Sequence, residues 1–174
     1  MSKEEYEEKL ALYQKHYGEE HETRIFWKEI AKEKNILYDV SILEDTLFKD
    51  KDVREFRYGP SEGTLDEDEF NSILKSIQDI YGNPTCYFFY PIYHDYDIGD
   101  RLFKGQLSEL KILFNQFDGY SPEYWWSEAQ DFCIFSGYDI EISFLCGKKE
   151  LIKRILKEPK VEAFEIDYNF NIRA

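Results

Sequence analysis

The chain has 174 residues and a mass of 21.0 kDa, and its 36 acidic residues against 22 lysines and arginines give a formal net charge of −14. Hydrophobic residues make up 43% and aromatic residues 18%, enough for a real core and unlike the composition of a disordered chain. A field of this sign disfavours direct binding to a nucleic-acid backbone or to an anionic membrane surface, because both repel it.

The N-terminal residues Met1 to Lys9 show no basic segment leading into an apolar one, so no secretory signal is expected there. The apolar run from Cys86 to Tyr93 is broken by Pro91 and is too short to span a bilayer. The three cysteines, Cys86, Cys133 and Cys146, have neither CxxC nor Cys/His spacing. They are expected to be reduced structural thiols in a cytoplasmic protein.

In chain order, Tyr6, Leu10, Tyr13 and Tyr17 recur at helical spacing, and Gly18 can close that helix. A second helix is predicted from Thr23 to Lys34, with Phe26, Trp27, Ile30 and Ala31 on its apolar side. Residues 36–42 and 53–58 read as strands, the second ending at Gly59-Pro60. Thr64 and Glu67 form a predicted capping box ahead of Phe70, Ile73, Leu74, Ile77 and Ile80, and Gly82 ends that helix. Thr85 to Ile92 is predicted as a buried strand.

Phe103, Leu107, Leu110, Phe114 and Phe117 keep spacings of three and four, which predicts a helix over 100–117. Ser121-Pro122 resembles an N-cap and first-turn pair, predicting a short helix through Tyr124, Trp125 and Trp126. Residues 131–136 and 139–145 read as a hairpin around Gly137, followed by a helix from Lys148 to Lys157. Finally Phe164, Ile166, Tyr168, Phe170 and Ile172 alternate with polar residues, as in a half-buried strand. Elements mixed without a βαβ rhythm, and without a linker-like stretch, predict a single α+β domain over 1–174: a mainly antiparallel sheet with helices packed on one side.

Catalytic signals are absent from the sequence: no P-loop, no dinucleotide fingerprint and no GxSxG elbow. No catalytic residue, metal ligand or cofactor is therefore assigned. The one patch joining an imidazole to carboxylates is His94, Asp95 and Asp97, the set a metal-dependent hydrolase would use. An EF-hand register started at Asp95 puts Gly99 and Asp100 in each other's required places, so the plainer reading is a polar loop.

The distribution of charge is less ordinary. No lysine or arginine lies between Lys111 and Lys148, yet Asp118, Glu123, Glu128, Asp131, Asp139 and Glu141 do, with Tyr120, Tyr124, Trp125, Trp126 and Tyr138. A second such interval, between Lys75 and Arg101, holds Asp79, Asp95, Asp97 and Asp100 with Tyr90, Tyr93 and Tyr96. Turn-like segments belong on the surface, and tyrosine and tryptophan there are the usual anchors of protein interfaces. If the hairpin paired with the final strand, Asp139, Glu141, Glu165 and Asp167 would form a negative sheet face, tolerable beside a cationic partner. The expected partner-binding residues are Asp95, Asp97, Asp118, Tyr120, Glu123, Tyr124, Trp125, Trp126, Asp139 and Glu141.

In its acidity, its Tyr-Ser-Pro-Glu-Tyr-Trp-Trp stretch at 120–126 and its Asp139-Ile-Glu-Ile142 segment, the chain resembles bacterial immunity proteins that neutralise polymorphic or contact-dependent toxins. The resemblance implies a non-enzymatic inhibitor whose acidic aromatic surface occludes a cognate toxin domain with a basic surface, often a nuclease. The alternative binder is an acidic DNA mimic that inhibits a DNA-binding enzyme, with carboxylates standing in for phosphates.

Overall fold

A computed structural model describes residues 26–39, 63–91, 99–137 and 142–167. The chain divides into two compact units, Met1–Gly59 and Pro60–Ala174. In the first unit, helix α1 (Trp27–Glu33) buries Ile30 and Ala31 against Trp27, Ile36 and Tyr38. Residues 36–39 carry no strand, contrary to expectation; the expected helix over 6–17 and the strand at 53–58 lie outside the described residues.

The second unit opens with helix α2 (Glu67–Tyr81), which puts Phe70, Ile73, Leu74 and Ile77 on one buried stripe, as their spacing dictates. Glu67, Asp68 and Glu69 occupy its first turn, where carboxylates oppose the positive helix end. Gly82 closes it at φ 72°, a left-handed backbone glycine adopts without Cβ strain. The expected capping box is not used, and the N-cap is Asp66, which makes no side-chain cap bond. Thr64 is committed elsewhere: its Oγ1 accepts the Ser121 N–H at 2.7 Å, while the Leu65 N–H donates to Ser121 Oγ at 3.1 Å. This exchange clamps the entry of the helix to the segment around Ser121.

Five strands follow: β1 (Thr85–Tyr90), β2 (Arg101–Gln106), β3 (Tyr124–Ser127), β4 (Phe132–Phe135) and β5 (Phe144–Gly147). They form one antiparallel sheet in the order β2-β1-β3-β4-β5. Helices α3 (Leu110–Gln116) and α4 (Lys149–Ile155) complete the unit. The α+β class is thus observed, with α2, α3 and α4 gathered on one sheet face. That face presents Cys86, Phe88, Tyr90, Trp125, Phe132 and Ile134 to Phe70 and Ile77 of α2, Leu110 and Phe114 of α3, and Leu151 and Ile155 of α4. Phe70 stacks on Phe114 at 4.1 Å, and Tyr90 on Phe117 at 4.0 Å.

Two expected helices are strands in part or whole. Residues 101–106 pair with β1 along their full length, and the helical segment begins only at Leu107 with a 3₁₀ turn. The backbone groups on that side of β1 need partners, and β2 supplies them, an obligation no intrachain periodicity reveals. Gln106 and Glu109 mark the true start as a capping box, with the Gln106 N–H donating to the Glu109 carboxylate at 2.6 Å. Gly105 leaves room for that carboxylate, since a Cβ there would lie 2.3 Å from Glu109 Oε2.

Residues 124–127 form β3 rather than a helix, inserted between β1 and β4. Flanked on both sides, the segment alternates inward and outward side chains, the arrangement aromatic residues favour. The hairpin is present as β4 and β5; residues 142 and 143 of its expected second strand carry no strand, and 139–141 lie outside the described residues. Residues 161–167 have no regular secondary structure, and Phe164 and Ile166 are exposed along with Glu165 and Asp167. The expected negative sheet face built from a strand there does not form among the described residues.

Candidate functional site

On the face away from α2, α3 and α4, the antiparallel register aligns side chains in rows across the sheet. One row runs Leu102, Phe89, Tyr124, Phe135 and Phe144. Its ring centroids are 6.4 Å apart for Phe89 and Tyr124, 4.5 Å for stacked Tyr124 and Phe135, and 6.3 Å for Phe135 and Phe144. Leu102 is 59% exposed and Tyr124 38%, and the three phenylalanines are half-buried. The next row runs Lys104, Tyr87, Trp126, Cys133 and Cys146, with Trp126 stacked on Tyr87 at 5.4 Å and Lys104 Nζ 5.1 Å over the Tyr87 ring. Strands about 4.8 Å apart spread each row over roughly 19 Å.

The two ends of the sheet are built differently. At one end, Glu128 pairs with Lys104 and also accepts the Tyr87 hydroxyl at 3.2 Å, and Asp131 pairs with Lys148. The Lys104 and Tyr87 hydrogen bonds lower the Glu128 pKa, and the Glu128 hydrogen bond raises that of Lys104. Two acids of the stretch that lacks bases in sequence therefore meet bases in space, supplied by β2 and by the residue after β5.

At the opposite end, Tyr90 pairs with Arg101 and Phe135 with Phe144, and β3 begins at Tyr124. The connection from β1 to β2, the segment leading into β3 and the connection from β4 to β5 are all anchored there. These are the three stretches that hold Asp95 and Asp97, Asp118 to Glu123, and Asp139 and Glu141. Residues 92–98 and 138–141, with His94, Asp95, Asp97, Asp139 and Glu141, lie outside the described residues. Their flanking residues converge on the sheet end that carries the Leu102–Phe144 row.

The expected site residues between these connections fall into distinct places. Asp118 is exposed, at φ 51° in the turn that closes α3, and Tyr120 is 43% exposed, its carbonyl accepting the Tyr90 hydroxyl at 3.3 Å. Glu123 is half-buried; its Oε2 has no hydrogen-bond partner among the described residues, and burial raises its pKa. Tyr124 stands on the outer row, where burial and the neighbouring Glu123 charge raise its hydroxyl pKa. Trp126 is half-buried on the outer face.

Trp125 is a correction: it is fully buried between Phe70 and Phe132, out of a partner's reach. Strand alternation sends neighbouring tryptophans to opposite faces, and the expected helix obscured this. Sequence reasoning missed Phe89, Phe135, Phe144 and Leu102 as members of the outer row. Read as strands, Thr85 to Tyr90 and Phe132 to Phe135 carry that signal in their alternation; for Leu102 the expected helix concealed it.

Among the described residues no group of three or more His, Cys, Asp or Glu side chains is placed to hold a metal ion. Nor is any helix there long and apolar enough to cross a membrane. No curated protein and no solved structure matches the chain. Residues 43–173, which include the whole sheet and helices α2 to α4, match the family described as protein of unknown function (DUF2711), and the chain belongs to that family.

Proposed function

We propose that this protein acts by binding another protein, through the sheet end where its three acidic aromatic connections are anchored. The observation that supports this reading is where the connections are anchored: Tyr90 and Arg101, Tyr124, and Phe135 and Phe144 share one end of a sheet whose outer row is aromatic and partly exposed. Tyrosine and phenylalanine supply rigid apolar contact area, and a surrounding negative field selects a basic partner. The net charge of −14 favours the same choice. Attraction between opposite potentials accelerates encounter, and burial of Tyr124 and its neighbours slows release.

A toxin domain with a basic surface fits this description, and the resemblance to immunity proteins makes neutralisation of such a toxin the role proposed. The mechanism is occlusion: the bound protein covers the toxin's substrate groove and needs no catalytic group of its own. The experiment is co-expression with the basic C-terminal domain of a toxin encoded beside the gene. The wild-type chain is expected to restore growth and to co-purify with that domain, and a Tyr124→Ala, Phe135→Ala double variant to lose both. Rescue that survives the double variant would overturn the choice of surface; absence of any complex would overturn the role.

A further inference from the structure

The second outer row ends in two cysteines. Cys133 of β4 and Cys146 of β5 are directly opposite each other in the register, and both line an open groove of about 570 Å³ with Trp126, Gln130, Asp131 and Lys148. We propose that Cys133 and Cys146 form a redox-active dithiol that closes to a cross-strand disulfide by exchange with a small disulfide compound bound in this groove. The proposal is independent of the partner surface, which lies at the other end of the sheet.

Hydrogen bonding fixes the type of pair. The Ser136 N–H donates to the Glu123 carbonyl at 2.8 Å, so Glu123 and Ser136 are a hydrogen-bonded pair between β3 and β4. Alternation from that point makes Trp126 and Cys133 a non-hydrogen-bonded pair and turns the Cys133 backbone groups toward β5. Cys133 and Cys146 are then a hydrogen-bonded pair, with Cα atoms about 5.5 Å apart, inside the range a disulfide spans. Closure must draw the two Cβ atoms together by about 1 Å. Strand β5 is the edge of the described sheet, hydrogen-bonded there on one side only, so the movement breaks no second strand pairing.

The two thiols are unequal, which orders the reaction. Cys146 is exposed and Cys133 half-buried, with a pKa raised by burial and then by the adjacent Cys146. The Cys146 thiolate attacks one sulfur of R–S–S–R, forming a Cys146 mixed disulfide and expelling R–S⁻. The Cys133 thiolate then attacks the Cys146 sulfur, forming the Cys133–Cys146 bond and expelling the second R–S⁻. Two cysteine thiols are oxidised, their two protons pass to the two expelled R–S⁻ groups, and the small disulfide is thereby reduced to two thiols. The groove accommodates the R group while the mixed disulfide exists. Cys86 is an internal control: it is fully buried in the core, and burial pushes its pKa up to about 12.

The test treats the reduced full chain with oxidised glutathione, followed by alkylation, digestion without reductant and mass spectrometry. The wild-type chain is expected to lose two of its three thiols, to yield a linked Cys133–Cys146 peptide and to retain no glutathione. Cys133→Ser should stop at a glutathione adduct on Cys146, and Cys146→Ser should keep both remaining thiols free. A wild-type chain that also stops at the Cys146 adduct, or whose three thiols all alkylate, would overturn the proposal. Because the wild-type result decides by itself, a variant that misfolds leaves the test intact.

Discussion

Trp125 and Trp126 are consecutive in the chain and lie on opposite faces of β3, the first fully buried against Phe70 and Phe132, the second stacked on Tyr87 at 5.4 Å. One strand thus supplies both the centre of the core and part of the outer aromatic surface. Trp125→Ala opens a cavity in the packed layer and is expected to cost roughly 3–5 kcal/mol. Trp126→Ala, on a half-buried outer position, should cost less than half as much. Urea denaturation of the two variants checks this; equal losses would contradict the assignment of faces.

Binding separates along the same lines. Asp118→Lys should lower the association rate with a basic partner and flatten its dependence on salt, since an exposed charge acts mainly on encounter. Tyr124→Ala should leave association nearly unchanged and raise the dissociation rate, by tenfold or more if the ring is an anchor worth about 1.4 kcal/mol. Surface plasmon resonance at two salt concentrations reads both effects.

The Thr64–Ser121 clamp offers a test of stability. Ser121→Ala removes the acceptor for the Leu65 N–H and leaves that buried donor unmatched, at an expected cost of about 1–3 kcal/mol. Thr64→Val similarly strands the Ser121 N–H. The two changes break one shared network, so the double variant should lose less than the sum of the single losses, by about 0.5 kcal/mol or more. Strict additivity in a double-mutant cycle would show that the two contacts act separately.

Glu123 links stability to pH. Burial raises its folded-state pKa above the ordinary 4.5, so the folded chain holds this proton to higher pH than the unfolded chain does. Stability from this group is therefore complete below the ordinary value and falls as pH rises through the folded value. Glu123→Gln removes the ionisation, and its melting temperature relative to wild type should climb above pH 4.5 and then level off. A difference that stays constant across that interval would mean the carboxyl is not desolvated.

Helices α2 and α4 were readable from their apolar spacing, and Gly82 marked the end of α2, because those signals are local to the segment. The β4–β5 pairing was legible for the same reason, as two apolar runs close in the chain. Strands β2 and β3 were not. Phe103, Leu107 and Leu110 keep a helical period, and Ser121-Pro122 carries a helix-start signal, but β1 provides hydrogen-bonding partners to both segments. Such partners lie far away in sequence, and periodicity within one segment does not register them.

The site was legible in the same uneven way. The sequence by itself determined the sign of the charge, the supply of aromatic residues and the mixture of helix and strand, all of which depend on composition and short-range pattern. Tertiary structure decided which aromatics face outward, that Glu128 and Asp131 meet Lys104 and Lys148, and that three separated acidic stretches are anchored at one sheet end. Those outcomes depend on strand order and register, set when distant backbone groups find each other and one side of every strand is buried.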